Sequence, residues 1–147
     1  MSCMMMAARV FVFAILVLLV SKPAFAQAQA FINKTRVSFG PGHGTQVSYM
    51  RGDGAVFLWY PGNRVVLRGR WRSDGRTICF RYGPNTYNPV TGRAGAEWEC
   101  RPSDVFARTT VDRVAGDVFG LARRNAVPFV LAPDRTTIAD LRRRGQR

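Results

Sequence analysis

The sequence predicts a mainly β fold of the α+β class: an antiparallel meander of five to six strands, forming a small barrel or sandwich, and then a C-terminal helical segment. This prediction rests on three observations. Apolar and polar residues alternate over short stretches, which is the period of a half-buried strand. Turn residues such as Gly52-Asp53-Gly54 recur roughly every ten residues, as in antiparallel sheets. After Pro102 the apolar spacing becomes helical.

Residues 1–26 have the features of an export signal. Arg9 is the only charge before an apolar run from Val10 to Val20, and Ala24-Phe25-Ala26 has the small-x-small pattern that signal peptidase recognises. Similar sites end at Ala28 and Ala30. The apolar run is shorter than the roughly 20 residues that span a bilayer. We therefore expect cleavage near Ala26 and no transmembrane anchor afterwards, with an uncleaved tether as the alternative.

Cleavage leaves residues 27–147 as one exported β-rich domain, periplasmic or secreted, with a β-meander core at 45–101 and a helical and strand extension at 103–147. The whole chain has a formal net charge of +13, and nearly all of its positive charge is arginine. Codon bias in a GC-rich bacterial genome would account for the choice of arginine, but not for the excess of base over acid. A field of this sign favours anionic partners. In the cell envelope these are lipid headgroups, anionic polysaccharide or acidic proteins, whereas nucleic acid is less available.

Turn and strand signals place the elements of the meander. Residues 27–36 are small and polar around Phe31 and Ile32, which predicts a loosely held start. Residues 39–44 are dense in glycine and proline, which predicts a loop. The predicted strands are 46–51, 55–60, 64–72, 77–82 and 97–101. Because residues 55–60 are apolar on both faces, we expect that strand to be central.

The sequence of the C-terminal segment predicts a short turn capped by Ser103-Asp104 and then three further elements. Apolar residues at helical spacing from Val111 to Ala122 predict a helix that ends at Arg123 and Arg124, where cations suit the helix dipole. Residues 127–131 predict another strand. A last short helix begins at Thr137.

The predicted hairpin at residues 69–82 combines a scaffold with a basic face. Its alternation places Trp71, Ile78 and Phe80 in the core. The arginines on the opposite face predict a patch that holds phosphate or carboxylate in bidentate fashion. The residues of this predicted patch are Arg64, Arg68, Arg70, Arg72 and Arg81. The alternative is a solvated face that Glu97 and Glu99 balance.

Cys79 and Cys100 are the cysteines left after cleavage, and an even pair in an exported chain predicts a disulfide. Closing a loop of about 22 residues stabilises a fold by roughly 3 kcal/mol in the chain-entropy model. Free buried thiols and pairing between chains are the alternatives. The bridge would tie down the base of the long loop at residues 83–96.

The loop at residues 83–96 is long for a hairpin connection, and long loops on a rigid sheet often carry function. Its polar side chains suit recognition of a polar ligand. The candidate ligand-binding residues are Asn85, Tyr87, Asn88 and Arg93. The alternative is a loop that only caps the open end of the sheet.

The sequence predicts no catalytic residue, metal site or cofactor. His43 is the only histidine, and it lacks the neighbouring ligands that zinc requires. Glu97 and Glu99 share a strand face and form a carboxylate pair like that of a glycosidase, although cross-strand pairing with arginine explains them more simply. We therefore expect a non-catalytic binding or structural module for an anionic envelope component or protein partner. A periplasmic hydrolase-like enzyme that uses the carboxylate pair is the alternative.

The meander also carries a recognisable order of motifs. These are Gly44-Thr45-Gln46, Asp53-Gly54, Trp59-Tyr60-Pro61-Gly62, Gly69-Arg70-Trp71, Ile78-Cys79-Phe80 with Tyr82, and Trp98-Glu99-Cys100. The order of a glycine-x-tryptophan strand, a cysteine strand and a second cysteine resembles small exported alphaproteobacterial proteins of unknown function. The resemblance covers less than half of the chain. It implies a two-cysteine β-meander and an exported location, and it supplies no catalytic residue.

Overall fold

Seven strands form one antiparallel sheet that curls into a half-barrel in the computed structural model, which describes residues 29–147. The export signal predicted at residues 1–26 lies outside the described residues. The strands of the described chain include two short ones that lie outside this sheet. In chain order the strands are β1 (Lys34–Gly40), β2 (Gly44–Met50), β3 (Ala55–Trp59), β4 (Leu67–Ser73), β5 (Thr77–Tyr82), β6 (Tyr87–Asn88), β7 (Arg93–Ala94), β8 (Glu99–Pro102) and β9 (Thr110–Ala115). The sheet has the order β8-β5-β4-β3-β2-β1-β9, and β6 pairs with β7 separately. The predicted mainly β class is confirmed.

Strand β1 occupies residues for which the sequence predicts a loosely held start and a loop, so both predictions are wrong there. β1 pairs with β2 along its whole length and with β9 on its other side. Thr35 and Val37 are fully buried within it. The predicted loop shrinks to a tight turn between Gly40 and Gly44, where a φ of 66° at Gly44 suits glycine.

Aspartates fix two of the hairpin turns that the sequence predicts. Asp53 Oδ1 accepts a hydrogen bond from the Ala55 N–H at 3.0 Å, and Asp74 Oδ1 accepts one from the Thr77 N–H at 2.7 Å. Gly75 has a φ of 90°, which glycine adopts without a steric cost. These turns set the register of β2 on β3 and of β4 on β5.

Helix α1 (Ser103–Arg108) connects the two edge strands β8 and β9 and shows which face of the sheet is concave. The ring of Phe106 in α1 lies 5.3 Å from the ring of Phe80 on β5. The guanidinium of Arg36 on β1 lies 3.9 Å from the same Phe106 ring. Because three strands separate β5 from β1, a residue that contacts both must lie inside the curl. We call this the inner face and the opposite one the outer face.

Each face of the sheet has its own core. On the outer face, Val37, Val47 and Trp59 are cross-strand neighbours. They pack with Leu121 and Leu141, so the C-terminal segment covers this face. The inner-face core consists of Phe31, Met50, Val56, Trp71, Ile78, Phe80 and Phe106. The core placement of Trp71, Ile78 and Phe80 is therefore as the sequence predicts.

The helix predicted from Val111 to Ala122 is wrong. Residues Thr110–Ala115 form β9 instead, and a short 3-10 turn follows at Leu121–Arg123. The Asp117 carboxylate accepts hydrogen bonds from the N–H groups of Leu121 and Ala122, each at 2.8 Å. A side chain that pairs with nearby backbone in this way stabilises a local turn in place of a helix.

The rest of the C-terminal segment is mostly irregular and ends in a helix. Residues 127–131 form no strand in the described chain, contrary to the prediction, although the Phe129 carbonyl accepts a hydrogen bond from Trp59 Nε1 at 3.1 Å. The predicted last helix is present as α2 (Ile138–Gly145). Thr137 caps it by accepting a hydrogen bond from the Asp140 N–H at 3.2 Å.

The predicted disulfide joins Cys79 on β5 to Cys100 on β8. The two residues are cross-strand partners whose Cα atoms lie 4.0 Å apart. The bond fixes the edge strand β8 to the sheet and closes the base of the connection between β5 and β8. Within residues 29–147, no helix has the length and apolar character needed to cross a membrane.

Candidate functional site

A cavity of ≈130 Å³ lies on the inner face of the half-barrel, and we call it the inner cavity. Side chains from six strands of the sheet line it, from β1 to β5 and from β8. The hairpin of β6 and β7, in the loop that connects β5 to β8, contributes the other wall. A single water molecule needs roughly 10–15 Å³ of such volume. The inner cavity therefore has room for several waters or for a small ligand.

Four neighbouring strands each place one residue in a row across the floor of the inner cavity. The register pairs Arg36 with Ser48, Ser48 with Leu58, and Leu58 with Leu67. Neighbouring strands lie about 4.8 Å apart, so the row spans about 14 Å along the sheet. From β1 to β4, the floor of the inner cavity thus carries first a cation, then a hydroxyl and then two apolar side chains.

Arg36 is a buried cation, with 4% of its surface exposed. Its Nε donates a hydrogen bond to Thr110 Oγ1 at 2.7 Å. Its Nη2 donates to the Phe106 carbonyl at 2.8 Å and to Thr109 Oγ1 at 2.6 Å. All of these acceptors are neutral, and they hold the guanidinium against α1 and β9.

No carboxylate of residues 29–147 lies within ion-pair distance of Arg36, and its Nη1 has no hydrogen-bond acceptor among them. Burial, followed by the positive charges of Arg101 and Arg113, lowers the pKa of Arg36 to about 9. The guanidinium therefore still carries its charge at neutral pH. A buried cation with neutral partners and an unused N–H donor is suited to binding an anion.

Ser48 lies directly opposite Arg36 and adds an unpaired hydroxyl to the floor. It is 7% exposed, and its Oγ has no hydrogen-bond partner in the described part of the chain. Buried hydroxyls in folded proteins are nearly always paired. Since Ser48 lines the inner cavity, its hydroxyl can pair with a ligand bound beside Arg36.

Two neutral groups line the cavity wall. Burial raises the pKa of Tyr82 above its ordinary value, so the phenol stays protonated at neutral pH. Burial and the charge of Arg101 lower the pKa of His43, although Glu99 opposes the shift. Tyr82 and His43 therefore act as neutral hydrogen-bonding groups at neutral pH.

Glu99 links the loop wall of the cavity to the sheet. Its carboxylate accepts hydrogen bonds from Asn88 Nδ2 and Thr91 Oγ1, each at 3.3 Å. Both donors belong to the β6–β7 hairpin, and Glu99 itself pairs with Phe80 across β5 and β8. Glu99 therefore adds side-chain contacts that hold the hairpin beside the cavity.

The prediction that Glu97 and Glu99 pair with cross-strand arginines is wrong. The ion pairs among residues 29–147 are Arg51–Asp53, Arg108–Asp104 and Arg143–Asp140. Glu97 is exposed, and Glu99 lies on the inner face, whereas the β4 arginines face outwards.

Four members of the predicted arginine patch lie on the outer face, namely Arg68, Arg70, Arg72 and Arg81. Arg68 and Arg70 have local structural partners there. Arg68 donates to the Arg124 carbonyl at 3.1 Å and to Asn125 Oδ1 at 3.2 Å. Arg70 donates to the Asp53 carbonyl at 2.9 Å. These two side chains therefore support the C-terminal segment and a hairpin turn.

Two of the remaining patch residues lie against the ring of a tryptophan, and the third lies in the loop before β4. The guanidinium groups of Arg72 and Arg81 lie 4.4 Å and 4.9 Å from the ring centroid of Trp98. This cation–π arrangement forms an exposed basic surface beside the disulfide. Arg64 is exposed and precedes β4, so it lies apart from that surface along the sequence.

Three of the four loop candidates line the inner cavity. They are Tyr87, Asn88 and Arg93, while Asn85 is not among the lining residues. Neither Arg36 nor Ser48 is among the site residues predicted from sequence, since residues 27–36 are assigned there to a loosely held start and Ser48 is assigned only to the strand 46–51. The alternation of Arg36 and Ser38 with Thr35, Val37 and Phe39 is typical of a strand and could have indicated β1, whereas the pairing of Arg36 with Ser48 follows only from the register.

No protein-family model, curated protein or solved structure matches this chain. Among residues 29–147, no group of three or more histidine, cysteine, aspartate or glutamate side chains is placed to hold a metal ion.

Proposed function

We propose that the protein is a non-catalytic binding module of the bacterial cell envelope, which receives an anionic group in the inner cavity. The observation that supports this proposal is the buried Arg36, whose charge meets neutral acceptors only. A buried charge without a counter-charge is costly, so an anion at this position gains more than it would at the surface. Hydrogen bonds that involve a charged group contribute about 1.5–3 kcal/mol each.

The proposed location is the periplasm or the medium, after cleavage near Ala26. The disulfide between Cys79 and Cys100 is typical of proteins that fold outside the cytoplasm. Export is also what the resemblance of the β-meander motifs, noted from the sequence, implies. The anionic group then belongs to an envelope molecule or to a solute of that compartment.

Titration of the purified mature protein with small anions tests the proposed function. Formate, acetate, phosphate and sulfate are compared by calorimetry and by thermal unfolding at constant ionic strength. We expect saturable binding of at least one of them. Arg36→Gln should weaken that binding by about tenfold or more, since it removes charged hydrogen bonds, and Ser48→Ala should weaken it by about fivefold.

Arg142→Gln is the matched control, because Arg142 is exposed in α2 and the change removes the same charge far from the cavity. Arg36→Gln also removes contacts to α1, so Ser48→Ala serves as the variant that leaves every described side-chain hydrogen bond intact. Absence of saturable binding by all four anions and by a longer carboxylate, octanoate, would refute the proposal. Equal losses in Arg36→Gln and Arg142→Gln would refute it too.

The surface of Arg72, Trp98 and Arg81 is a second candidate binding site, for an anionic envelope polysaccharide. Both guanidinium groups are held against the indole ring and lack a carboxylate partner among the described residues. We expect retention on an immobilised anionic polysaccharide to fall with salt and to fall further in the double variant Arg72→Gln/Arg81→Gln. Arg142→Gln/Arg144→Gln removes equal charge elsewhere, and equal retention of the two double variants would exclude this surface.

The hydrolase alternative has weaker support. His43, Glu97 and Glu99 all line the inner cavity. However, no hydrogen bond joins any two of them within the described chain, and the Glu99 carboxylate is engaged by Asn88 and Thr91. A general acid or base needs to reach its proton directly or through one water.

A further inference from the structure

We infer that the ligand of the inner cavity is a monoanionic amphiphile, an aliphatic carboxylate whose head pairs with Arg36 and whose chain runs along the floor towards β4. This inference rests on the proposed function, since it assigns the chemical class of the ligand for the same cavity. It follows from the polarity of the floor, from the surroundings of two leucines and from the balance of charge in the cavity.

Leu58 and Leu67 are the first indication of an apolar ligand chain. They are neighbours on the central strand β3 and the adjacent strand β4, in the interior of the sheet, where most apolar side chains pack into a core. Both are only half-buried, and neither belongs to the inner-face or the outer-face core. Both line the inner cavity. An aliphatic chain lying on them would remove this remaining apolar surface from water.

The row across the floor fixes the direction of the ligand. Arg36 and Ser48 supply a cation and an unpaired hydroxyl at the β1 end, and the two leucines follow at the other end. The row is about 14 Å long along the sheet, since it crosses three strand spacings. This length suits a carboxylate with a short or medium alkyl chain.

The charges around the cavity favour a single negative charge on the ligand. Arg36, Arg93 and Arg101 line it together with Glu97 and Glu99, which leaves one excess positive charge. A ligand with several negative charges would be repelled by the two glutamates. A neutral ligand would leave Arg36 without its counter-charge.

A series of straight-chain alkanoates from acetate to octanoate tests the inference on the intact mature protein by calorimetry. We expect affinity to rise by about fourfold for each added methylene until the chain fills the cavity. Octanol should bind at least tenfold more weakly than octanoate. Leu58→Thr and Leu67→Thr should flatten the dependence of affinity on chain length, whereas Val130→Thr, at an exposed position outside the cavity lining, should leave that dependence unchanged.

The outcomes separate this inference from the proposed function. If acetate binds at Arg36 but affinity does not rise with chain length, the amphiphile is excluded and the anion site remains. If octanol binds as tightly as octanoate, the carboxylate head is excluded. If no alkanoate, phosphate or sulfate binds, the proposed function fails and this inference fails with it.

Discussion

The absence of a side chain at Gly69 leaves room for the Tyr82 ring on the inner face. The two residues are cross-strand partners on β4 and β5. A Cβ at Gly69 would lie 2.6 Å from the Arg81 carbonyl oxygen and 2.6 Å from Tyr82 Cδ1. The carbonyl belongs to the sheet and cannot move freely. We therefore expect Gly69→Ala to destabilise the protein by about 1–3 kcal/mol, as overpacked sites do, and to displace the Tyr82 ring in the inner cavity.

Urea unfolding measures this effect, with Gly83→Ala as the matched control. A Cβ at Gly83 would meet no atom within 4 Å, so that variant should keep the parental stability. If the two variants unfold at the same urea concentration, the close approach at Gly69 has no energetic importance.

His43 makes stability depend on pH between neutral and mildly acidic conditions. Its pKa in the folded protein is lowered from 6.5, first by burial and then by Arg101. The unfolded chain therefore binds a proton more readily than the folded one, and stability falls as pH drops through 6.5. Carboxylates titrate at lower pH, around 4, and His43 is the only histidine.

We thus expect the free energy of unfolding in urea to decrease between about pH 7.5 and pH 5.5, where histidine changes charge. His43→Gln should remove most of that decrease, because glutamine does not titrate. A parental protein whose stability rises over this interval as the pH falls would contradict the assigned direction of the His43 shift.

At the scale of the elements, Glu99 supplies side-chain contacts between the sheet and the loop that lies over the inner cavity, in addition to the backbone hydrogen bond from the Ala96 N–H to the Tyr82 carbonyl. Glu99 accepts hydrogen bonds from Asn88 and Thr91, and a neutral amide at its position would accept them less strongly. We expect Glu99→Gln to increase cleavage in the β6–β7 hairpin severalfold under limited proteolysis. The disulfide and the unfolding transition should change little.

Glu97→Gln is the control for the loop prediction. Glu97 is exposed and forms no side-chain hydrogen bond with another described residue, yet its substitution changes the net charge equally. Cleavage that increases equally in both variants would show that charge alone, and not the Glu99 contacts, controls the hairpin.

Strands bounded by clear turns are predictable from this sequence, and those with mixed polarity are not. The hairpin of β4 and β5 has Asp74 and Gly75 at its turn and Trp71, Ile78 and Phe80 in the core, so its pattern is unambiguous. β1 is harder to recognise because Arg36 and Ser38 on its inner face line a cavity instead of a core.

The helix predicted from Val111 to Ala122 fails for a different physical reason. Apolar residues at helical spacing are compatible with a strand followed by a turn whenever both pack on the same core. Here Val111 and Val114 of β9 and Phe119 after it all contact the outer-face core. The Asp117 carboxylate, which caps the turn, then decides the local structure.

The most informative residues of the candidate site, Arg36 and Ser48, can be recognised as neighbours only once the strand register is known.

On the scale of the whole molecule, two cores on opposite faces of one curled sheet support a chain with a large positive charge. The C-terminal segment covers the outer core, and α1 with Phe31 covers the inner core. The ion pairs among residues 29–147 are exposed, local ones. Exposed pairs of this kind contribute little. Burial therefore stabilises the fold, and the excess of 22 basic over 9 acidic residues opposes it.

Added salt should therefore stabilise this protein instead of weakening it. Sodium chloride shortens the Debye length to about 10 Å at 0.1 M, which screens repulsion between arginines on the surface. We expect the Tm of the mature protein to rise by several degrees between low and moderate salt. Arg142→Gln/Arg144→Gln, which removes two exposed charges from α2, should show a smaller rise. Arg36→Gln should keep nearly the full rise in Tm, because screening of the surface charge depends on ionic strength and does not require Arg36. A rise in Tm caused by an anion bound in the inner cavity would instead require this guanidinium and would saturate. A Tm that falls with salt would show that ion pairs stabilise the fold more than repulsion destabilises it.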